Sequence, residues 1–552
     1  MLATLKPGGW SISACLTAAF MLAPIVGIAV LAFGPMGEML QLGEPGTSAD
    51  AADNIWPHLI QTVLPEQICQ TLGLMTGVAA LTLLAGVPTA WLVTFYRFPG
   101  SRLLEWMLLL PLAIPTYIAA YSLSELLDKA GPFYAVWKQL FGSGAWYPQL
   151  HSLGGAIVTL SLVLYPYVYL AARTSFLQQS ALMLEAGRNL GASPTSNFWR
   201  IALPLARPAI IVGVSLALME CLNDIGAVEH LGVQTLTVGV YDTWLSRGSL
   251  AGAAQLALLL LGFMGLLVLL ERYHRARQTQ PAGRDKPQGL SRRKPPLLRQ
   301  GLYFVICALP VVFGFILPCG LLVSFAVQGH HDIGGFLPAA QNSFMLAGAA
   351  ALLTVLLGLM LAYGIRVEKS RRLRFISQSA ALGYAVPGTV LGLGVIIILL
   401  RLDDALYALF PHGVMGVELV LGGTVAGLLI AYVIRFLALS FGALEAAFGR
   451  VSESLDMAAA SLGKSRMAIL WQVHIPILRP ALLAAMVLVF VDTLKELPAT
   501  LILRPFDFET LATQVYNYAS IGQIEEAALP ALMIIVAGLG PVIIALGLSR
   551  RK

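Results

Sequence analysis

Leu182-Met183-Leu184-Glu185-Ala186-Gly187-Arg188-Asn189-Leu190-Gly191 opens a stretch that reaches Ile201-Ala202-Leu203-Pro204 and runs on into Arg207-Pro208-Ala209. The arrangement returns 272 residues later, the distance from Ala186 to Ala458. Ala458, Gly463, Val473, Ile475 and Pro476 answer Ala186, Gly191, Ile201, Leu203 and Pro204, and Arg479-Pro480-Ala481 answers the Arg-Pro-Ala. Met457 stands in the place of Glu185, with Asp456 one position early, and Ala459 in the place of Gly187. The same offset relates Arg102 to Arg374, Pro115 to Pro387 and Leu222 to Leu494. A spacing held this far along the chain implies two equivalent halves in one polypeptide.

Each copy lies between long apolar segments. The chain of 552 residues is 57% hydrophobic and only 12% charged, with a mean hydropathy of +0.78. Soluble domains usually carry about a quarter charged residues. Apolar runs long enough to cross a bilayer fall at about 11–34, 69–94, 103–126, 152–172, 208–225, 249–270, 301–326, 343–365, 375–400, 417–440, 480–498 and 527–548. The expected fold is an all-α integral membrane protein with twelve transmembrane helices in two tandem six-helix repeats. The first unit spans 1–270, a linker 271–300, and the second unit 301–552. The first run is too long for a signal-peptide core and reads as a retained helix.

Lys and Arg set the orientation. The stretch 35–66 has neither but carries Glu38, Glu44, Asp50, Asp53 and Glu66, and 327–341 also lacks both. These face outward. Arg366, Lys369, Arg371, Arg372 and Arg374 crowd one short loop, 271–300 holds nine Lys or Arg, and the chain ends Arg550-Arg551-Lys552. These face the cytoplasm, which puts both termini inside. The basic pI of about 9.0 is then a matter of topology, not of nucleic-acid binding. Pro281, Pro287, Pro295 and Pro296 mark 271–300 as the linker. Cys15, Cys69, Cys221, Cys307 and Cys319 have no metal-ligand spacing and read as small buried hydrophobes.

The repeated stretch, about 173–207 in its first copy, is a cytoplasmic loop by charge. It begins helical, Gly191 ends that helix in the left-handed conformation, and Ser193, Thr195, Ser196 or Asn197 caps a second short helix. Pro204 and Pro208 mark a bend into the membrane. A short amphipathic helix-turn-helix is a docking shape, too small to be a catalytic domain. Gly463-Lys464-Ser465 mimics the end of a phosphate-binding loop, but that motif needs Gly where Ala458 stands.

The spacing E-A-A-x3-G-x9-I-x-L-P is similar to the signature of inner-membrane permease subunits of binding-protein-dependent ABC importers. Glu185, Ala186, Gly191, Ile201, Leu203 and Pro204 match it, and Ala458, Ala459, Gly463, Val473, Ile475 and Pro476 follow it in the second copy. The resemblance implies that each loop is a coupling helix seated in a cleft of an ATPase subunit. The expected partners are therefore two copies of an ABC ATP-binding subunit inside, a solute-binding protein outside, and membrane lipid. No cofactor is expected on this chain, with ATP used by the partner subunit, and the bacterial inner membrane is the expected location.

Charges inside apolar helices cost about 2.5–3.5 kcal/mol on insertion scales and call for a reason. Glu220, Asn223 and Asp224 sit near the end of the fifth run, and Asp492, Lys495 and Glu496 occupy the positions 272 further on. Both repeats thus place carboxylates four residues apart on one helical face. At ~1.5 Å per residue, Glu220 lies about 20 Å along the helix from Arg207. One reading is a transit site for a cation, since hard cations favour carboxylate oxygen. The other is structural, with an ion-pair cluster at 492–496 and caps at Glu220 and Asp224. The segments 218–229, 495–500, 503–506 and 525–530 look like those of the iron(III) branch of the family, while thiamine, phosphonate and polyamine permeases share the scaffold. His330-His331 reads as a solvated loop pair. The competing class is an ion-coupled secondary transporter of two six-helix halves, which has no reason to repeat a docking loop.

Overall fold

The computed structural model describes residues 9–33, 60–129, 131–142, 144, 146–179, 193–277, 292–329, 333–409, 421 and 423–549. Among them all regular structure is helical, apart from a single bridge between Tyr96 and Arg293. Among the described residues nine helices are long and apolar enough to span a membrane, and two bent helix pairs, each taken as one span, raise the number to eleven. The last apolar run, 527–548, lies within a helix of 26 residues, Ile524–Ser549.

The bent pairs correct the third and ninth expected spans, 103–126 and 375–400, which are not straight. Ser101–Ala113 meets Thr116–Leu126 at 98°, and Arg371–Ala385 meets Gly388–Ala408 at 113°. Prolines cause both bends. Ile114 is extended at φ −91°, ψ 123° before Pro115, and Val386 at φ −89°, ψ 125° before Pro387. The proline ring disfavours the helical conformation in the residue before it, and here each span breaks at that residue.

Proline acts differently at the docking loops. The expected bend at Pro204 and Pro208 is absent: Thr195–Asn223 runs as one span, as does Arg466–Leu494. Each instead contains a π turn, Phe198–Ala202 and Leu470–His474, and a third π turn covers Val312–Ile316. All three end two residues before a proline: Pro204, Pro476 and Pro318. A helical proline has no N–H to give and crowds the carbonyl four residues back, so the turn before it widens instead of kinking.

Element boundaries keep the offset of 272. Pro194–Asn197 corresponds to Arg466–Ile469, the π turn at 198–202 to that at 470–474, and the start of Leu153–Gln178 to that of Val425–Phe448. The halves also interlock. Gly9–Phe33 packs on Arg371–Ala380 and Gly388–Leu409 of the second half. Ser11 Oγ donates to Glu368 Oε2 at 2.5 Å, and the Trp10 ring meets Tyr363 edge-on at 5.5 Å. In return, the span 297–328 lies against Leu64–Phe95, Thr116–Leu126 and Ile524–Ser549. Glu105, held by Arg173 and by Arg292 of the linker end (2.8 Å to the latter), fixes where that return begins.

Candidate functional site

The second copy of the repeated loop is described throughout, while Glu185, Ala186 and Gly191 of the first lie outside the described residues, as do His330 and His331. Ser452 caps the helix Glu453–Ser461 by accepting from Ser454 N at 3.3 Å. Gly463, at φ 76°, ends it in the left-handed region. Gly463 N donates to Ala460 O at 2.9 Å and Lys464 N to Ala459 O at 3.1 Å, which satisfies the last carbonyls. Ser465 then caps the next helix through Ala468 N at 3.3 Å.

The short helix is bolted to the base of the spanning helices. Arg366 Nε donates to Asp456 Oδ2 at 2.8 Å, and its Nη1 donates to Phe448 O at 2.9 Å and Val451 O at 2.8 Å. His474 Nε2, at the end of the π turn, lies 3.0 Å from Asp456 Oδ1. Lys369 Nζ reaches Glu453 Oε2 at 2.5 Å, and this ammonium holds the exposed Glu453 carboxyl below the usual range. Asp456 therefore faces inward as an anchor. Met457, the residue in the place of Glu185, is 64% exposed, and Leu462, Met467 and Trp471 are exposed beside it. Ala458, Gly463 and Pro476 are exposed, Val473 and Ile475 half-buried, and Ala459 buried. In the first half Ile201, Leu203 and Pro204 are half-buried. The result is an apolar knob rigidly joined to two long helices.

The other candidate residues meet in a cavity of about 110 Å³, lined by Glu220, Asn223, Asp224, Asp492, Lys495 and Glu496 together. It forms where helices break. Leu203–Asn223 stops and Gly226–His230 begins; Ile475–Leu494 stops and Pro498–Leu503 begins; the bend at Pro115 borders the same space. Broken backbone at membrane depth is tolerated only where its polar groups find partners. Asp224, 7% exposed, accepts from Thr116 Oγ1 and from Ala227 N at 2.7 Å. Glu496, 5% exposed, accepts from Ala499 N at 3.0 Å, Thr500 N at 3.1 Å and Thr500 Oγ1 at 2.8 Å. Each carboxylate thus sits on the positive end of a short helix. Asn223 Oδ1 accepts from Gly388 N at 2.7 Å, tying the first half to the second.

Glu220 and Asp492 are left to face the cavity. Glu220 Oε1 accepts from Tyr384 Oη at 2.7 Å, and Lys495 Nζ donates to Asp492 Oδ1 at 2.8 Å. The structural reading therefore holds for Asp224 as a cap and for Asp492 with Lys495 as an ion pair, whereas Glu496, expected in that ion-pair cluster, caps a helix instead. It fails for Glu220, which caps nothing. Among the described residues no group of three or more His, Cys, Asp or Glu converges in a way that could hold a metal ion.

Residues 82–278 match the model of a family described as binding-protein-dependent transport system inner membrane component. The chain is 27% identical over 487 residues to an Fe(3+)-transport system permease protein of Haemophilus influenzae, covering 87% of this chain and 89% of that one. It is 25% identical over 501 residues to a ferric transport system permease protein of Actinobacillus pleuropneumoniae, covering 84% and 70%. A sulfate transport system permease protein of Escherichia coli is 33% identical over 143 residues, which cover 26% of this chain and 50% of that one. Residues 82–278 thus carry the membrane-component domain of that transport family, and the similarity to whole permease proteins extends over most of the chain.

Sequence reading missed four side chains of the permease cavity: Tyr117, Tyr167, Tyr384 and Arg435. The offset could not have found Tyr384 or Arg435, because their counterparts are Leu112 and Val163. Arg435 did carry a signal, a lone cation inside the apolar run 417–440. It is 5% exposed, with Nη1 donating to Val386 O at 3.3 Å across the second bend.

Proposed function

We propose that this permease is the transmembrane subunit of an ATP-driven importer for iron(III), receiving its cargo from a solute-binding protein outside the cell membrane. One observation carries the reading: Glu220 and Asp492, one from each half and 272 residues apart, face a single cavity without capping a helix. Hard cations favour such oxygen donors, and the relatives similar over most of the chain bear ferric names. In this reading the two units, 1–270 and 301–552, are structural repeats joined by 271–300. The helix Ile524–Ser549 is the twelfth crossing, and both termini are cytoplasmic. Two ATP-binding subunits dock inside, one on the knob around Met457 and one on the equivalent loop around Glu185. ATP hydrolysis belongs to those subunits.

The test is uptake of radiolabelled ferric ion into proteoliposomes holding the complete complex and its binding protein. ATP-dependent accumulation is expected, and its absence alongside uptake of another cargo sinks the assignment. An oxyanion is the second reading. It is favoured by Lys495 and Arg435 in the cavity wall and by the sulfate permease relative. Sulfate and molybdate uptake in the same vesicles separates the two.

A further inference from the structure

The polar groups of the cavity balance one another. Asp224 and Glu496 are taken up by backbone N–H groups and threonine hydroxyls. That leaves two carboxylates, Glu220 and Asp492, against two cations, Lys495 and Arg435. The cations differ in freedom. The guanidinium of Arg435 is fixed: Nη1 bonds Val386 O and the group lies 5.8 Å from the Phe436 ring centre. Lys495 holds only Asp492, through an ammonium on a flexible four-carbon stem. Glu220 also lies within electrostatic reach of Lys495. Its counterpart in the first half, Asn223, is neutral and locked to Gly388 N. Only one half, then, brings a movable positive charge to the paired acids.

A second observation points to a ligand in the same space. Tyr117 lines the cavity, is 4% exposed, and its hydroxyl has no hydrogen-bond partner. A buried hydroxyl left unpaired is costly, and an occupant of the cavity with a polar atom would relieve it. Tyr167 lines the cavity nearby, within electrostatic reach of both Glu220 and Asp492. Phenol and carboxylate oxygens together make a hard donor set.

We propose that Lys495 is a tethered stand-in for the transported cation: its ammonium occupies the Glu220–Asp492 site in this conformation, and an arriving cation takes the carboxylates only by displacing it. The proposal rests on the cation reading of the cavity and adds a device to it. An empty pair of carboxylates inside a membrane protein would attract any cation and would leave unpaired charge at low dielectric. The lysine removes both problems, closes the site to weakly binding cations, and admits one that binds oxygen more strongly than an ammonium does.

The experiment uses the purified permease–ATPase complex and terbium(III), a hard trivalent probe whose luminescence is sensitised by nearby tyrosine. Wild type and Lys495→Arg should titrate alike, with only a weak cavity-specific step. Lys495→Met should gain a sensitised binding step at least roughly tenfold tighter, since removing one neighbouring positive charge strengthens cation binding by a kcal/mol or more. Adding Asp492→Asn to Lys495→Met should abolish it. If Lys495→Met does not accumulate, Lys495→Gln serves the same test. A Lys495→Met or Lys495→Gln complex that titrates like wild type overturns the proposal. Ferric uptake by wild type is measured in parallel. Uptake without a gain of terbium binding defeats the stand-in alone, and a gain of binding without ferric uptake defeats the iron assignment alone.

Discussion

In the first half the bend at Pro115 leads to Thr116, whose hydroxyl donates to Asp224; in the second, the bend at Pro387 leads to Gly388, which has no side chain to give. The backbone breaks in the same places, yet the broken ends are satisfied differently. Glu496 finds its hydroxyl one helical turn further on, in Thr500, and the room left by Gly388 is filled by Glu496 and Pro498 themselves. A Cβ on Gly388 would come within 2.7 Å of Glu496 Oε1 and 2.9 Å of Pro498 Cβ. The same division holds for charge: Leu112, Val163 and Asn223 correspond to Tyr384, Arg435 and Lys495. At these three positions the first half has uncharged side chains, while the second has two cations and a phenol. Equivalent backbone does not require equivalent chemistry, because a capping need can be met from several directions.

The largest effect should come from exchanging the two residues after the bends. Gly388→Thr forces a methyl and a hydroxyl into the closed contact with Glu496 and Pro498, an overpacking cost on the order of 1–3 kcal/mol or more. Folded yield should collapse, with uptake lost. Thr116→Gly removes one charge-assisted hydrogen bond and adds chain entropy, about 1–2 kcal/mol, so yield should fall only modestly. Size-exclusion recovery after detergent extraction reads both. Equal losses in the two variants would mean that the halves share side-chain chemistry after all.

Next comes the anchoring of the docking helix. Arg366→Ala leaves the carbonyls of Phe448 and Val451 and the carboxylate of Asp456 without their donor, a local cost of about 2 kcal/mol. ATPase stimulation by loaded binding protein should drop severalfold while the membrane part still folds. Lys369→Ala breaks only the exposed pair with Glu453 and should be nearly silent. If both variants keep full stimulation, the short helix does not carry the push.

The fold was legible in the sequence because apolar runs and the 272-residue offset are properties of the chain itself. Some element boundaries keep the same offset, as at 198–202 and 470–474. The bent third and ninth spans were legible too, in Pro115 and Pro387, but apolarity was read over their whole length and hid the break. At Pro204 and Pro208 the opposite error arose. Proline was read as a bend, whereas a π turn absorbs it, a choice that depends on tertiary packing. In the cavity, six of the seven charged or amide residues were found because polarity is conspicuous in an apolar run; Arg435 was passed over despite the same signal. The tyrosines were not found, since an aromatic residue in a membrane helix gives no sign of which way its hydroxyl points. Asp456 and Met457 show the same limit: only the helix phase, set by Arg366 and His474, decides that the acid turns inward and the methionine outward.

A subtler asymmetry lies between the two cavity-facing carboxylates. Asp492 is held by a cation, Glu220 by a neutral phenol. Asp492→Asn should therefore strand the Lys495 ammonium and lower folded yield, whereas Glu220→Gln keeps an oxygen for Tyr384 to donate to and should leave yield unchanged. Uptake per folded molecule should fall in both and fall further in the double variant, because both groups act on one ion.

The smallest effect concerns Tyr384 alone. Tyr384→Phe removes the hydroxyl that orients Glu220, a loss of about 1.5 kcal/mol for a hydrogen bond to a charged group. Uptake should drop by less than about tenfold with yield intact. If the hydroxyl acts only by orienting Glu220, then Tyr384→Phe should cost nothing further once Glu220→Gln is present. Uptake rates of the two single variants and the double variant give the coupling directly. Independent, multiplying losses would mean that Tyr384 faces the cargo itself, and the first half, with Leu112 at the equivalent position, would then lack a cargo contact that the second half supplies.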